Sequence, residues 1–161
     1  MTDKIFISIA AYRDPELLPT IRDAIKRAQK PEDLVFCIAW QHSEEDEWDN
    51  FKEFEGDDRF RIIDIKWDES KGACWARNLI QKEYKGEAYF MQIDSHHRFE
   101  RNWDSKCKDM IKKLQDEGHE KPLLTAYIPS YDPEDDPGKR VKEVWRLHFD
   151  RFTPEGVIFM L

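Results

Sequence analysis

Short apolar runs alternate with amphipathic stretches over most of this chain. The runs are nearly continuous and rich in β-branched and aromatic residues, as is typical of strands that a parallel sheet buries on both faces; they cover residues 4–11, 34–40, 60–65 and 88–93. Apolar residues at helical spacing fill 15–31 and 72–85, with Asp14 as the predicted N-cap of the first helix. This order predicts right-handed crossovers and parallel pairs.

The remaining third of the chain is less regular. Residues 103–118 are amphipathic and predict a third helix, 122–128 form a fifth strand candidate, and 132–138 are dense in turn formers. The acidic, aromatic stretch 43–58 indicates a short surface helix or an ordered loop. Taken together, the elements predict an α/β fold, a mostly parallel sheet with helices on both faces.

Composition limits the possible partners. The chain has 161 residues, enough for one domain with its own core, and its formal net charge of −8 opposes a broad electrostatic grip on nucleic acid or an anionic membrane. No apolar run approaches the ~20 residues that span a bilayer, and the start lacks the pattern of a signal peptide. The three cysteines are scattered, which predicts buried thiols and excludes a disulfide framework. We therefore expect a cytoplasmic protein.

The apolar run at 156–161 ends without a turn, a cap or a polar tail. Natural domains seldom stop inside such a strand signal, so we expect the chain to be a truncated piece of a longer domain. An unpaired apolar strand is also an edge on which chains associate, which predicts possible oligomerisation through this segment.

The fourth strand ends in Asp94-Ser95-His96. Side chains alternate along a strand, so Asp94 and His96 are aimed out of the same edge of the sheet. A carboxylate with an imidazole suits Mn²⁺ or Mg²⁺, with phosphate oxygens of a substrate filling the other positions, and zinc is less favoured because no CxxC or HExxH pattern is present. The alternative is a strand that merely runs into a polar loop.

Other candidates lie where strands should end at the same edge. Arg77, early in the helix after Gly72, can fork onto a diphosphate or onto Asp94, although an arginine there can also be simply solvated. Tyr12 can stack on a flat base and Arg13 can pair with an anion. His97 points the other way if strand geometry persists and is a weaker candidate.

The common nucleotide and hydrolase motifs are missing. The sequence has no G-x-x-x-x-G-K-[ST] loop, no G-x-G-x-x-G after the first strand and no G-x-S-x-G elbow. A metal-dependent phosphohydrolase stays open as a rival, although such sites usually gather more His and Asp ligands.

Three segments, in this order, resemble the GlcNAc-transferase family; they are 5–16 (IFISIAAYRDPE), 71–77 (KGACWAR) and 92–99 (QIDSHHRF). Characterised members are polypeptide α-N-acetylglucosaminyltransferases that act on hydroxyproline of a cytoplasmic ubiquitin-ligase subunit. The resemblance covers essentially the whole chain. It implies a GT-A (nucleotide-diphospho-sugar transferase) fold, UDP-GlcNAc as donor, a protein or glycan hydroxyl as acceptor, retention at the anomeric carbon, and Mn²⁺ or Mg²⁺ as cofactor.

Site roles follow from the same resemblance. Asp94-Ser95-His96 stands at the family's DxD-like motif, which makes Asp94 and His96 metal ligands and Asp94 and Ser95 donor contacts. Residues Ala11, Tyr12 and Arg13 match the stretch that lines the uridine pocket, and Arg77 matches the arginine that approaches the donor. Neither a catalytic base nor a third metal ligand is assigned, and no motif makes His148 that ligand. Residues 1–161 then form the donor-binding part of a transferase domain; the alternative is a module that binds nucleotide sugar without turnover.

Overall fold

The computed structural model describes residues 3–48, 50–143 and 148–160 and divides into two compact units, Met1–Met110 and Ile111–Leu161. The first unit holds a parallel sheet and most of the helical residues. Its strands are β1 (Ile5–Tyr12), β2 (Leu34–His42), β3 (Phe60–Lys66) and β4 (Tyr89–Ile93), and the helices are α1 (Leu17–Arg27), α2 (Ala73–Gln81) and α3 (Trp103–Asp116), the last of which runs on into the second unit.

The sheet confirms the predicted α/β class. Its four strands run in the order β3-β2-β1-β4, and each neighbouring pair is parallel. All four strands agree with the apolar runs of the sequence to within two residues at either end. Two of the crossovers contain an α-helix, namely the β1–α1–β2 and β3–α2–β4 connections, as the alternation of elements predicts.

Each face of the sheet is covered by a different helix. In β1, the residues Ile5, Ile7, Ile9 and Ala11 pack into a cluster with Leu17, Leu18, Ile21 and Ala24 of α1. Phe6 lies on the opposite face, in a cluster with Ala76 and Ile80 of α2. Successive side chains of β1 therefore point into two different hydrophobic clusters, which explains why β1 is apolar at nearly every position.

The strand order places a topological switch point between β1 and β4. The chain moves from β1 to β2 and β3 on one side, and then returns across the sheet to pair β4 with the other side of β1. In open α/β sheets, a crevice forms outside the carboxyl ends of the two strands that flank such a point. The residues that follow Tyr12 and Ile93 consequently share one edge of the sheet.

The start of α3 is fixed to the end of α1 by two buried residues. Asp104, 1% exposed, accepts hydrogen bonds from the backbone N–H groups of Gln29 and Lys30 at 2.7 and 2.9 Å. The Trp103 indole donates to the carbonyl of Ala24 at 2.9 Å. Asp104 thus pairs two N–H groups of the turn after α1, and the Ala24 carbonyl, which also accepts the Ala28 N–H at 3.1 Å, gains a second donor from Trp103.

The second unit contains a two-stranded antiparallel hairpin, β5 (Phe149–Phe152) with β6 (Ile158–Met160). The expectation of an unpaired apolar segment at 156–161 is therefore wrong over Ile158–Met160, while Leu161 lies outside the described residues. Oligomerisation through this segment stays a prediction. The strand predicted at 122–128 is also wrong, because only an isolated bridge at Tyr127 forms there. A short apolar run does not by itself supply a neighbouring strand to pair with.

Two local expectations in the first unit also need correction. Helix α1 begins at Leu17, and Asp14 does not cap it: the Asp14 carboxylate accepts the Glu16 N–H at 2.9 Å while Pro15 and Glu16 form a turn. Of the three thiols, all free, Cys37 is buried but Cys74 is exposed on α2, although the sequence predicts buried thiols.

None of the helices described is long and apolar enough to cross a membrane.

Replacing Asp104 with Ala is expected to lower the free energy of unfolding by about 3 kcal/mol, since two backbone N–H groups lose their partner. Burial raises the pKa of Asp104, but backbone hydrogen bonds outweigh it and lower the pKa overall. The stabilisation is therefore present above the unfolded-state carboxyl pKa and is lost as pH falls through the folded-state pKa.

Denaturant unfolding at several pH values checks this expectation. The curves of wild type and Asp104→Ala should converge in acid, and Asp109→Ala on the exposed face of α3 should stay within about 0.5 kcal/mol of wild type. Equal destabilisation by both variants would contradict the role given to Asp104.

Candidate functional site

Three elements bring polar side chains to the switch-point edge of the sheet. The end of β1 supplies Tyr12, Arg13 and Asp14, the loop after β4 supplies Asp94-Ser95-His96, and α2 supplies Arg77. Each of these segments follows a strand or opens the crossover helix that packs on β1 and β2. Their meeting is a consequence of the parallel β1–β4 pair.

Burial alternates along the loop after β4 as strand geometry predicts. The Asp94 and His96 side chains are 55% and 59% exposed, whereas Ser95 between them is 5% exposed. The period of two therefore persists for three residues beyond the last strand residue, Ile93. Asp94 and His96 project to solvent, and Ser95 projects inward.

Asp14 holds this loop against the end of β1. Its Oδ2 accepts hydrogen bonds from Ser95 Oγ at 2.5 Å and from His96 Nδ1 at 2.9 Å, and its Oδ1 accepts the Glu16 N–H. Burial raises the pKa of Asp14, but the hydrogen bonds from Ser95, His96 and Glu16 outweigh it and lower the pKa overall. Asp14 is therefore a carboxylate at neutral pH.

Thr20 of α1 is a second anchor of the loop after β4. Its buried hydroxyl donates to the carbonyl of Ser95 at 2.8 Å and accepts the N–H of His97 at 2.8 Å. One side chain thus satisfies backbone groups on both sides of His96. The loop is anchored to β1 through Asp14 and to α1 through Thr20.

Arg77 contacts Asp94, one of the two anionic partners that its position in the sequence suggests. Its Nη2 lies 2.8 Å from Asp94 Oδ1, and the two side chains are 32% and 55% exposed. Arg77 Nε is buried and has no hydrogen-bond partner among the residues described. A guanidinium has five donors, so Arg77 keeps capacity for another anion beside Asp94.

Arg13 is engaged by a partner that was not predicted. Its guanidinium binds Asp46 through two hydrogen bonds of 2.8 Å and lies 5.3 Å from the ring centre of Trp67. The hydrogen bonds from Arg13 lower the pKa of Asp46. Arg13 also has a left-handed backbone, with φ at 45°, and its N–H donates to the carbonyl of Gln41. The arginine therefore fixes the turn after β1 to the loop after β2.

The other residues expected to contact a donor differ in what they offer. Tyr12 is 51% exposed at the end of β1, so its ring is available for stacking. Ala11 is 1% exposed and its side chain lies in the core, while its carbonyl accepts from the buried Gln41 side chain at 3.0 Å. The structure thus brings Tyr12 to the edge but not the Ala11 side chain.

His97 is partly buried behind the exposed pair. Burial is the main cause that lowers its pKa, and the neighbouring His96 lowers it further. This agrees with the opposite orientation expected from strand alternation and favours a neutral imidazole in the fold.

His148 is an exposed residue of the second unit.

The side chains at this edge fit a hard divalent ion that takes most of its ligands from substrate phosphates and water. Within the described ranges, no group of three or more His, Cys, Asp or Glu side chains is placed to hold a metal. Asp94 and His96 offer one carboxylate and one imidazole at the surface. Mg²⁺ and Mn²⁺ sites commonly use so few protein ligands, with substrate phosphates and water completing the shell, whereas a structural zinc site does not.

Sequence reasoning missed three residues of this edge, namely Asp14, Thr20 and Asp46. The sequence places Asp14 at the right strand end but predicts a helix cap there, and it gives Thr20 no role beyond its place in the helix. The acidic stretch that contains Asp46 carried no recognised signal. A lone acidic or hydroxyl side chain has no periodicity, so only its partner in space reveals its role.

The chain also matches a known protein family. The family model described as Glycosyltransferase (GlcNAc) matches residues 4–57 and 48–160, nearly the whole chain. No curated protein and no solved structure matches. The family match confirms the resemblance carried by the segments at 5–16, 71–77 and 92–99. The chain therefore belongs to the GlcNAc glycosyltransferase family and is a transferase.

Proposed function

We propose that this chain binds UDP-GlcNAc, with Mn²⁺ or Mg²⁺ as cofactor, and transfers the sugar to a hydroxyl of a protein or glycan with retention at the anomeric carbon. The observation that carries the proposal is the meeting of Asp94, His96 and Arg77 at the switch point of a parallel sheet. That is where the fold class places nucleotide ligands. The family supports sugar transfer, and the donor, metal and stereochemistry are the proposed refinements.

Different side chains would contact different parts of the UDP-GlcNAc donor. Asp94 and His96 would hold the ion, which when bound supplies positive charge at the diphosphate. Arg77 places a second positive charge beside Asp94, so that it stabilises charge that grows on the UDP leaving group. Tyr12 offers an exposed ring for the uracil base, and Ser95, which is buried, contributes by its position in the loop. We expect the protein to work in the cytoplasm.

Arg13 has a different part in this proposal. Because Nε and Nη2 of its guanidinium both donate to the Asp46 carboxylate, Arg13 shapes the uridine side of the edge by holding the turn after β1. The ring of Trp67, over which its guanidinium lies, is 41% exposed and adds apolar surface there. Arg13 thus supports the position of Tyr12 next to it.

Turnover separates the proposal from its rivals. The protein, incubated with UDP-GlcNAc, Mn²⁺ and a panel of hydroxyproline peptides and glycans, is expected to release UDP and to add the sugar to an acceptor. Chelation of the metal should abolish both signals. Saturable UDP binding without turnover would indicate a binding module, and release of inorganic phosphate would indicate a phosphohydrolase.

Asp94→Asn and His96→Ala are expected to weaken Mn²⁺-dependent binding of UDP by at least about tenfold, because each removes one of two protein ligands. Titration calorimetry with and without Mn²⁺ measures this. Asp109→Asn, an exposed change on α3, serves as the matched control and should bind as wild type does. Unchanged metal dependence in both site variants would show that the motif does not hold the ion.

Arg77→Ala is expected to weaken UDP binding by about 10- to 100-fold, since a charge-assisted hydrogen bond contributes roughly 1.5–3 kcal/mol. Unlike the ligand variants, it should weaken binding both with and without Mn²⁺. Arg77→Lys keeps the charge without the fork and should recover part of the loss. Identical affinity of all three proteins in the same calorimetric titration would remove Arg77 from the donor site.

A further inference from the structure

We infer that Asp14 is a positioning residue that fixes the tautomer of His96, so that Nε2 carries the free lone pair with which His96 binds the divalent ion. The inference rests on the proposed function for its ligand. Its structural basis is the 2.9 Å contact between Asp14 Oδ2 and His96 Nδ1. No motif or family match assigns Asp14 a role.

The hydrogen-bond inventory of Asp14 leaves one consistent assignment. Its Oδ1 accepts the Glu16 N–H, and its Oδ2 accepts the Ser95 hydroxyl as well as His96 Nδ1. A carboxylate only accepts, so Nδ1 of His96 must carry the proton in this contact. A neutral imidazole has one N–H, and Nε2 is then the unprotonated nitrogen.

Because Nδ1 of His96 contacts Asp14, the other ring nitrogen, Nε2, points away from Asp14. The Asp14 side chain is 19% exposed and sits against the sheet, whereas His96 is 59% exposed. His96 Nε2 makes no hydrogen bond within the part of the chain that the structure describes. Metal-ligating histidines commonly donate their other N–H to a carboxylate, which fixes the ring and raises the basicity of the ligating nitrogen. Asp14 and His96 have this arrangement, with Oδ2 and Nδ1 2.9 Å apart.

A purely structural role for Asp14 is the competing interpretation, because its bond to Ser95 would hold the loop whatever the tautomer of His96. Asp14→Asn separates the two. The Glu16 N–H needs an acceptor, so the amide oxygen should take the place of Oδ1 and the NH₂ group the place of Oδ2. The NH₂ then donates to Ser95 Oγ and to His96 Nδ1, which keeps the loop but moves the imidazole proton to Nε2.

Two measurements on the full chain test this. Nitrogen-15 NMR of the metal-free protein, with His96 assigned by the loss of its signals in His96→Gln, is expected to show the Nδ1–H tautomer in wild type and the Nε2–H tautomer in Asp14→Asn. Calorimetry with UDP is expected to show about 10- to 100-fold weaker Mn²⁺-dependent binding in Asp14→Asn. Binding of UDP without metal should not change.

The matched control is Asp64→Asn. Asp64 Oδ1 lies 2.9 Å from His42 Nε2, a second carboxylate–imidazole pair, which joins β3 to β2. The same chemical change there should leave Mn²⁺-dependent UDP binding within about twofold of wild type. An equal loss in both variants would overturn the specific role of Asp14.

The outcomes distinguish this inference from the proposed function. An Nε2–H tautomer in the wild-type protein overturns the inference even if Asp14→Asn fails to fold. A tautomer that switches without loss of Mn²⁺-dependent affinity also overturns it. If wild type shows the Nδ1–H tautomer but binds UDP with no metal dependence, the proposed function fails while the hydrogen-bond assignment stands.

Discussion

The parallel pairing of β1 with β4 determines where every candidate site residue lies. Because both strands run the same way, Asp14 and Asp94-Ser95-His96 leave the sheet at the same edge, although more than 80 residues of chain separate them at the Ser95–Asp14 contact. The switch in strand order leaves that edge open, since the crossover helices leave from it to opposite faces of the sheet. An antiparallel β4 would have delivered the same motif to the far end of the molecule. The site is thus a product of topology before it is a product of side-chain chemistry.

Periodicity explains why much of this fold could be predicted from the sequence. Runs such as 4–11 and 34–40 are apolar at nearly every position, which is typical of the central strands of a parallel sheet covered on both faces. The same alternation predicted that Asp94 and His96 project from one edge, and both side chains are exposed there, 55% and 59% respectively. It failed at 122–128, where an apolar run finds no continuous partner strand. Local pattern indicates what a segment can bury, but pairing depends on what lies beside it.

The side-chain partners at the edge could not be predicted in the same way. Arg13 and Asp46 are 33 residues apart, and Thr20 and Ser95 are 75 apart, so nothing in the spacing links them. Each pair forms because buried or partly buried polar groups must find a partner once the sheet is assembled. The single residues Asp14, Thr20 and Asp46 are therefore visible only in three dimensions. They differ in this from Arg77, whose contact with Asp94 follows from the order of the elements.

The double attachment of the loop after β4 has a consequence for the thermodynamics of ligand binding. Asp14 holds the loop by hydrogen bonds with Ser95 and His96, and Thr20 holds it by hydrogen bonds with backbone groups on either side of His96. The loop is therefore attached both to the end of β1 and to α1. Ordering this loop is a cost met when the protein folds, and little of it is left to be subtracted from the free energy of association. Any ligand that binds at this edge would meet a loop that Asp14 and Thr20 already hold in place.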